Sequence, residues 1–308
     1  MKLVFLDRST LGFDINLEQF NQFGEVVLYD STKPTETLTR VKDADIVITN
    51  KVIIDKDIMD NSDIKLVCIA ATGMNNVDLE YAKEKGIVVK NVAGYSTNSV
   101  TQLTFAYVFH FIQKLSYYTS YVNNGHWQKS EIFTHIDKPF FELKDKNWGI
   151  IGLGNIGENV ARIAQSFGCN VSYYSTSGNN TNTSYEQKNL ETLLKESDII
   201  SIHCPLNETT TNLLNKTNLP LIKDGAILMN LGRGGIINEL DLATIIDTKE
   251  LYCGIDVVSK EPIEQTSPLL KVQNKDRLAL TPHIGWASVE SRNELIKLIV
   301  MNIHEFVN

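Results

Sequence analysis

The stretch that decides the fold is Trp148-Gly149-Ile150-Ile151-Gly152-Leu153-Gly154-Asn155-Ile156-Gly157. An apolar run leads directly into three glycines spaced as Gly-x-Gly-x-x-Gly, and an amphipathic segment follows at residues 158–167. A strand, a glycine turn and a helix in this order form the context that a dinucleotide-binding motif requires. Gly152 would make the tight turn, Gly154 would admit a pyrophosphate, and Gly157 would let the helix pack closely on the strand. The alternative is a glycine-rich turn that binds no ligand.

After this motif, short apolar runs alternate with helical segments. Strand-like runs lie at residues 148–153, 170–175, 198–204, 226–231, 252–258 and 277–281. Continuous apolar strands with helices between them indicate a parallel sheet that is covered on both faces. Six such strands match a doubly wound Rossmann domain built from two mononucleotide-binding halves.

The chain before residue 99 shows a second, smaller α/β pattern. Strand-like runs lie at residues 3–7, 25–29, 45–49, 65–70 and 87–91, with helical patterns at 16–23, 35–41, 56–60 and 79–85. No glycine motif follows the first strand, so this unit is not expected to bind the dinucleotide. An amphipathic segment at residues 289–307 is expected to form a helix that packs back on it.

Residues 99–122 indicate one long apolar helix, and residues 123–146 form an irregular stretch rich in aromatic side chains. The aromatic residues of the two segments include Tyr117, Tyr118, Tyr121, Trp127, Phe133, Phe140 and Phe141. Long loops of this kind are usually functional, and exposed apolar patches of this size mark interfaces. We therefore expect a homodimer through this helix and arm, with a simple buried core helix as the alternative.

Composition excludes several classes of protein. The net charge of −8, without basic runs, argues against a nucleic-acid or anionic-membrane partner. No apolar stretch reaches the ~18 residues of a membrane span, and Asp7 and Arg8 interrupt the first apolar run too early for a secretory signal. The four cysteines lack Cys-x-x-Cys spacing, which favours reduced thiols in a cytoplasmic protein. No metal site is expected.

The end of the second Rossmann strand bears on the choice of cofactor. A site that prefers NAD places an acid about 20 residues beyond the glycines, where it binds the ribose 2′-hydroxyl. This chain has Ser175, Thr176 and Ser177 there, with neither an acid nor an arginine. These hydroxyls suit either NAD or NADP, and the alternative is that they only cap a turn. Lys188 lies further along the chain as a possible contact.

Three charged residues follow later Rossmann strands: Arg233 in a glycine turn, Glu261 before Pro262, and His283 after Pro282. The carboxyl ends of parallel strands are where such sheets bind ligands. An arginine in a glycine turn presents a planar fork that fits a carboxylate. Taken singly, these residues also fit a surface ion pair, a solvated charge and a structural histidine.

Together these residues resemble the D-isomer-specific 2-hydroxyacid dehydrogenases, and the resemblance spans nearly the whole chain. It is carried by Ala71-Thr72-Gly73-Met74-Asn75-Asn76-Val77-Asp78, the glycine loop 152–157, Cys204-Pro205-Leu206 with Thr210, Asn230-Leu231-Gly232-Arg233-Gly234-Gly235, Asp256 to Glu261-Pro262, and Thr281-Pro282-His283-Ile284-Gly285. One departure is Gln102-Leu103, where many members have Glu-His.

The resemblance implies catalytic roles for Arg233, Glu261 and His283. Arg233 would bind the carboxylate and carbonyl of the substrate, His283 would be the acid/base, and Glu261 would hold the imidazole. The backbone around Thr72 and Gly73 would grip the substrate carboxylate, and Lys51 would face the substrate or be solvated.

The resemblance also implies the cofactor contacts and the domains. Cofactor contacts would come from Thr104, Gly152, Gly154, Asn155, Ile156, Gly157, Ser175, Thr176, Ser177, Cys204, Pro205, Thr210, Leu231, Gly232, Arg233, Asp256, His283 and Gly285, with Asp256 on the nicotinamide amide. Residues 1–98 and 285–308 would form a flavodoxin-like substrate domain from both chain ends. Residues 99–284 would form the dinucleotide-binding domain, including the dimerisation helix and arm at 99–146.

Within the family the chain is most similar to the glycerate dehydrogenase, or hydroxypyruvate reductase, group. The suggestive features are Ile48-Thr49-Asn50-Lys51, Tyr173-Tyr174-Ser175-Thr176-Ser177-Gly178 and Trp286. We expect NAD(P)H-dependent reduction of hydroxypyruvate or glyoxylate to D-glycerate or glycolate. The alternatives are another side chain, as in D-lactate, a nucleotide-sensing regulator of the same fold, and formate oxidation, which Glu261 disfavours because formate enzymes have glutamine there.

Overall fold

The computed structural model describes Met1–Asn308, and the chain divides into two compact units. Unit 1 comprises Met1–Ser96 with Trp286–Asn308, and unit 2 comprises Thr97–Gly285. Each unit is built on one parallel sheet, which confirms the predicted class of a Rossmann domain with a smaller α/β domain. None of the helices is both long and apolar enough to cross a membrane.

The elements are numbered along the chain. The strands are β1 Lys2–Phe5, β2 Glu25–Leu28, β3 Ile46–Thr49, β4 Leu66–Ile69, β5 Val88–Lys90, β6 Asn147–Ile151, β7 Asn170–Tyr174, β8 Glu186–Gln187, β9 Ile199–Ile202, β10 Ala226–Asn230, β11 Leu251–Ile255 and β12 Leu278–Leu280. The helices are α1 Thr37–Val41, α2 Lys56–Asp60, α3 Leu79–Lys85, α4 Thr97–Gln113, α5 Leu115–Asn123, α6 Asn155–Ser166, α7 Leu190–Glu196, α8 Glu239–Thr248 and α9 Val289–Val307. Short 3-10 turns lie at Arg8–Leu11, Glu18–Phe23, Pro34–Glu36, Trp127–Lys129, Leu219–Leu221, Pro268–Lys271 and Lys275–Arg277.

Unit 1 has five parallel strands in the order β2-β1-β3-β4-β5, which is the flavodoxin-like order. Side chains alternate between its faces. Ile46 and Ile48 of β3 pack with Leu295 and Ile299 of α9, whereas Val47 packs in the cluster on the other face. The amphipathic segment at 289–307 therefore covers unit 1, as its pattern predicted.

Unit 2 has seven parallel strands in the order β12-β11-β10-β9-β6-β7-β8. The glycine motif follows β6, which lies where the strand order reverses, and this switch point is where doubly wound sheets bind ligands. The six predicted strands are present as β6, β7 and β9–β12. The seventh, β8, is a two-residue edge strand of Glu186 and Gln187, and it was missed because it has no apolar pattern.

The predicted single helix at 99–122 is wrong in one respect, because the chain forms two helices there. α4 ends at Gln113, and Lys114 has a left-handed backbone with a φ of 50° before α5 begins. A left-handed lysine breaks the helical hydrogen-bond ladder. Neither glycine nor proline marks this break, so the sequence pattern could not reveal it.

Candidate active site

The glycine motif forms an open cradle at the start of α6. Gly152 has a φ of +92°, and a Cβ there would lie 2.7 Å from the backbone nitrogen of Cys204. A Cβ on Gly157 would lie 2.4 Å from the carbonyl oxygen of Gly152, so these two positions require glycine. A Cβ on Gly154 would meet nothing within 4 Å, which leaves open space beside the helix N-terminus.

Asn155 and Ile156 follow Gly154 as the first residues of this twelve-residue helix. Their N–H groups have no carbonyl partner within the helix, and the helix dipole favours an anion at this position. The strand, the two obligatory glycines and the open cradle fit a pyrophosphate. The site therefore fits a dinucleotide by its own geometry.

The turn after β7 is hydrogen-bonded to this cradle. Asn180 donates its side-chain amide to the carbonyl oxygen of Leu153 at 2.7 Å. The hydroxyl oxygen of Ser175 accepts the N–H of Asn180 at 3.4 Å, and that of Ser177 accepts the N–H of Asn179 at 3.2 Å. Each hydroxyl keeps its own proton to donate to a ligand, because it only accepts in the turn. Sequence reasoning missed Asn180; its only signal was an asparagine in a polar turn.

Lys188 does not present a free charge to this turn. Its ammonium nitrogen lies 2.6 Å from a carboxylate oxygen of Glu196 and 3.3 Å from one of Glu186. The hydrogen bond to Glu196 holds the pKa of Lys188 above its ordinary value. The charge is thus neutralised locally.

Thr104 and Thr210 have no free surface and no free hydroxyl. The Thr104 hydroxyl donates to the carbonyl oxygen of Val100 at 2.8 Å, within α4. The Thr210 hydroxyl donates to the carbonyl oxygen of Pro205 at 2.7 Å and accepts the N–H of Asn207 at 2.8 Å. Both threonines are fully buried, so their geometry supports a packing role. Cys204, at the start of the same loop, is also buried.

Arg233 is presented on a tight turn after β10. The Asn230 amide donates to the carbonyl oxygen of Arg233 at 2.8 Å, and its oxygen accepts the N–H of Gly232 at 3.1 Å. A Cβ on Gly234 would lie 2.0 Å from the backbone of Val258, so only glycine allows this approach. The exposed guanidinium of Arg233 bonds the carbonyl oxygen of Gly232, and no carboxylate pairs with it. Most of its five donors remain available to an anion. Leu231, just before the turn, is buried.

His283 and Glu261 form a close pair. Nδ1 of His283 lies 2.7 Å from Oε2 of Glu261, and the two side chains are 26% and 30% exposed. The other carboxylate oxygen of Glu261 accepts the N–H of Val258 at 3.3 Å. Because an ionised carboxylate can only accept, Nδ1 is the donor and the Glu261 carboxylate fixes the ring tautomer. Nε2 is then left for a reacting group.

The loop that carries His283 is held by Asp256. Oδ1 of Asp256 accepts the N–H of Ile284 at 2.8 Å and the hydroxyl of Thr281 at 2.5 Å, and Oδ2 accepts the N–H of Gly285 at 2.8 Å. The backbone of His283 has a φ of 53°, a left-handed conformation that costs about 1–3 kcal/mol. The Asp256 carboxylate, expected on the nicotinamide amide, thus already uses three of its roughly four acceptor positions to hold this loop.

A hydrogen-bonded chain extends from Asp256 to helix α4. The Thr281 hydroxyl gives its proton to Asp256, so the Tyr107 hydroxyl, 2.5 Å from the Thr281 oxygen, must be the donor in that contact. Burial raises the pKa of Tyr107, which keeps this donor protonated. The Tyr107 ring also packs on Gly254 of β11, where a Cβ would lie 2.6 Å from it. The sequence offered no sign of this support for the His283 loop.

Replacing Tyr107 by phenylalanine is expected to lower kcat about three- to tenfold while leaving the KM for NADH unchanged. The lost bond is worth about 0.5–1.5 kcal/mol, and it supports the loop of the acid/base rather than the cofactor cradle. Steady-state kinetics would measure both constants. Tyr252→Phe is the matched control, because the Tyr252 hydroxyl bonds only Glu250. A loss of thermal stability without any change in kcat would contradict the positioning role.

The expected substrate residues of unit 1 follow its strands. Lys51 follows β3; its ammonium is exposed and pairs with no carboxylate. Thr72 and Gly73 follow β4, and the Thr72 hydroxyl donates to the carbonyl oxygen of Val92 at 3.0 Å. The Asn91 amide donates to the carbonyl oxygen of Thr72 at 2.6 Å. These three residues lie in unit 1, whereas Arg233, Glu261 and His283 lie in unit 2.

Comparisons with known proteins agree with this geometry. The sequence model of the D-isomer specific 2-hydroxyacid dehydrogenase NAD binding domain matches residues 105–285. A hydroxypyruvate reductase of Blautia hydrogenotrophica is 39% identical over 100% of this chain and 97% of its own length. A glycerate dehydrogenase of Methylorubrum extorquens is 34% identical over 99% of this chain and 96% of its own. An acyclic imino acid reductase in complex with NADPH and D-Arg superposes with a TM-score of 0.85 at 27% identity, over 100% of this chain and 97% of that chain.

The chain therefore belongs to the D-isomer-specific 2-hydroxyacid dehydrogenases. It is an NAD(P)-dependent oxidoreductase of that family, and the predicted likeness to the hydroxypyruvate reductase and glycerate dehydrogenase group is confirmed.

Proposed function

We propose that the chain reduces hydroxypyruvate, or glyoxylate, to D-glycerate or glycolate. The observation that carries the proposal is the 2.7 Å hydrogen bond between His283 and Glu261, which leaves Nε2 of the imidazole for a substrate carbonyl. The names of the two similar enzymes, hydroxypyruvate reductase and glycerate dehydrogenase, support the choice of substrate.

The side chains of unit 2 take distinct parts in this reaction. The unpaired guanidinium of Arg233 binds the substrate carboxylate and orients the carbonyl carbon. His283 donates its Nε2 proton to the carbonyl oxygen during reduction and removes it again in the oxidative direction. The Glu261 carboxylate accepts the Nδ1 proton and holds the ring with Nε2 directed to the reacting group. From unit 1, the backbone at Thr72 and Gly73 binds the carboxylate, and Lys51 faces the substrate.

The cofactor supplies the hydride when it is bound. The cradle of Gly152, Gly154 and Gly157, with the N–H groups of Asn155 and Ile156, would hold the pyrophosphate. The turn at Ser175, Thr176 and Ser177 would hold the adenosine ribose. Pro205, Gly232, Asp256 and Gly285 would line the remaining length of the dinucleotide.

A substrate panel tests the proposed function. The purified chain is assayed with hydroxypyruvate, glyoxylate, pyruvate and other 2-oxo acids, each with NADH and with NADPH. The proposal expects the highest kcat/KM for hydroxypyruvate or glyoxylate. A preference for pyruvate would favour a D-lactate dehydrogenase, and cofactor binding without turnover would favour a nucleotide-sensing regulator.

We further propose a homodimer through α4, α5 and the arm at 123–146. The arm exposes apolar side chains of unit 2, namely Trp127 at 50%, Ile132 at 63%, Phe133 at 89%, Ile136 at 68%, Phe140 at 53% and Phe141 at 59%. Soluble monomers rarely expose large apolar patches, and a two-fold dimer is the commonest way to bury one. The arm itself is ordered by His135, which stacks on Tyr121 at 3.7 Å and bonds the hydroxyl of Tyr117 at 2.8 Å.

Sedimentation is expected to give a mass about twice the 34.6 kDa of one chain. Phe133→Asp should shift the mass toward the monomer, because a charge there opposes burial of the arm. Leu240→Asp is the matched control, since Leu240 is 65% exposed on α8 and lies outside the arm. A single-chain mass at micromolar concentration would contradict the dimer.

We also propose a cytoplasmic location, consistent with four free, buried cysteines, which cell fractionation would test.

A further inference from the structure

The turn after β3 holds an asparagine whose amide has no partner. Asn50 is only 7% exposed, yet no other group of the chain hydrogen-bonds its side chain. Buried polar groups in folded proteins are nearly always paired. The enclosed side-chain atoms without a partner belong to Arg8, His203 and Ser267, and not to Asn50. The Asn50 amide therefore keeps contact with solvent, and a ligand at that place can supply its hydrogen bonds.

Asp7 fixes the backbone that presents this amide. The Asp7 carboxylate accepts the N–H of Asn50 at 2.9 Å and the N–H of Lys51 at 2.7 Å. It also accepts the Thr49 hydroxyl at 3.2 Å, and the same hydroxyl oxygen accepts the N–H of Val52 at 3.0 Å. Asp7 is itself only 9% exposed. The turn is thus held in one geometry before any ligand arrives.

Asn50 lies beside the expected substrate residues of unit 1. Strands β3 and β4 are paired, and the N–H of Ala70 donates to the carbonyl oxygen of Thr49 at 2.8 Å. Thr72 and Gly73 follow Ala70 by two and three residues, in the turn after that neighbouring strand. Both turns therefore lie at the carboxyl edge of one parallel sheet, where ligands of such sheets bind.

We propose that Asn50 is a specificity-determining residue whose amide hydrogen-bonds the C3 hydroxyl of hydroxypyruvate, with Asp7 as its positioning residue. The proposal rests on the proposed function. An amide both donates and accepts, so it satisfies a hydroxyl in either orientation. The methyl group of pyruvate cannot pair with it, and a buried polar group left unpaired penalises that substrate.

The test compares wild type with Asn50→Leu on hydroxypyruvate and on pyruvate, with the same cofactor. Leucine has nearly the shape of asparagine and no polar group. The kcat/KM for hydroxypyruvate is expected to fall about ten- to a hundredfold, while that for pyruvate stays the same or rises. A thermal midpoint and an NADH dissociation constant close to those of wild type would show that the fold is intact, and Asn50→Ser is the second variant should leucine not fold.

Three outcomes would overturn the inference. Equal losses on both substrates would assign the amide to the carboxylate that they share, and unchanged kinetics would leave Asn50 without a substrate role. Equal kcat/KM values of wild type for hydroxypyruvate and pyruvate would also contradict the inference. Failure of the proposed function is distinguishable, because wild type itself would then prefer pyruvate to hydroxypyruvate and glyoxylate, or turn over no 2-oxo acid.

The positioning role of Asp7 is tested by a separate measurement with its own control variant. Asp7→Asn keeps one accepting oxygen and loses the other, so the turn loosens; the KM for hydroxypyruvate is expected to rise several-fold with kcat and the KM for NADH retained. Asp45→Asn is the control, because the Asp45 carboxylate accepts the N–H of Lys2 at 2.9 Å at the opposite edge of the same sheet. Parallel increases in KM for both variants would reduce Asp7 to a general structural role.

Discussion

Replacing His283 by alanine is expected to lower kcat for 2-oxo acid reduction at least about 10²-fold, the usual scale for loss of a general acid. The physical reason is that Nε2 of His283 donates the proton, and no other side chain replaces it. The Glu261 carboxylate lies 2.7 Å from Nδ1, the other ring nitrogen, and leaves Nε2 free. Because the glycine cradle on α6 does not involve this residue, NADH binding measured by fluorescence titration should be retained.

His304→Ala is the control for this substitution, because His304 only packs edge-on against Phe23 in unit 1. Glu261→Gln should keep part of the activity and alter both limbs of the pH profile, since an amide can still orient the ring but carries no charge. Turnover of the His283→Ala protein close to that of wild type would remove His283 from the mechanism.

The second large effect is expected on cofactor choice. Wild type should accept NADPH as well as NADH, with a weaker preference than a site with an aspartate would show. Ser175 brings no repulsion of a 2′-phosphate, and the hydroxyls of Ser175 and Ser177 retain protons to donate. Lys188 brings no free charge to neutralise the phosphate, because its ammonium is paired with Glu196 and Glu186. Strong selectivity for NADPH is therefore not expected either.

Ser175→Asp should reduce kcat/KM with NADPH far more than with NADH. Charge-assisted contacts are worth roughly 1.5–3 kcal/mol each, so the ratio of the two should change about ten- to a hundredfold. The measurement is kcat/KM for both cofactors with one substrate. Lys188→Met should leave the ratio unchanged, since that ammonium is already neutralised. Exclusion of NADPH by wild type by a thousandfold or more would mean that another residue discriminates.

The main architecture could be predicted because it depends on local pattern. The glycine motif after Trp148–Ile151 and the continuous apolar strands specify a switch point in a parallel sheet, and the order of Arg233, Glu261 and His283 after successive strands brings them to one edge. These features depend on residues that are close together in the chain and on the regular spacing of apolar residues. Both can be seen in a sequence.

The parts that could not be predicted depend on single contacts between distant residues. Asp7 bonds a turn more than 40 residues away, and Tyr107 reaches Thr281 across 174 residues. The left-handed Lys114 carries no glycine or proline signal. The position of Asp256 after a strand could be predicted from the sequence. Its three hydrogen bonds to the His283 loop could not.

The position of α9 has a consequence for how the chain folds during synthesis. The face of unit 1 that carries Leu3, Ile46 and Ile48 is covered by Leu295 and Ile299, which follow the whole of unit 2 along the chain. The first 96 residues thus emerge with one apolar face uncovered, while the whole of unit 2 is made before the covering helix. Long-range closure of this kind is slow and leaves apolar surface exposed to other chains in the meantime. Unit 1 can therefore complete its core only after the chain of unit 2 has been made.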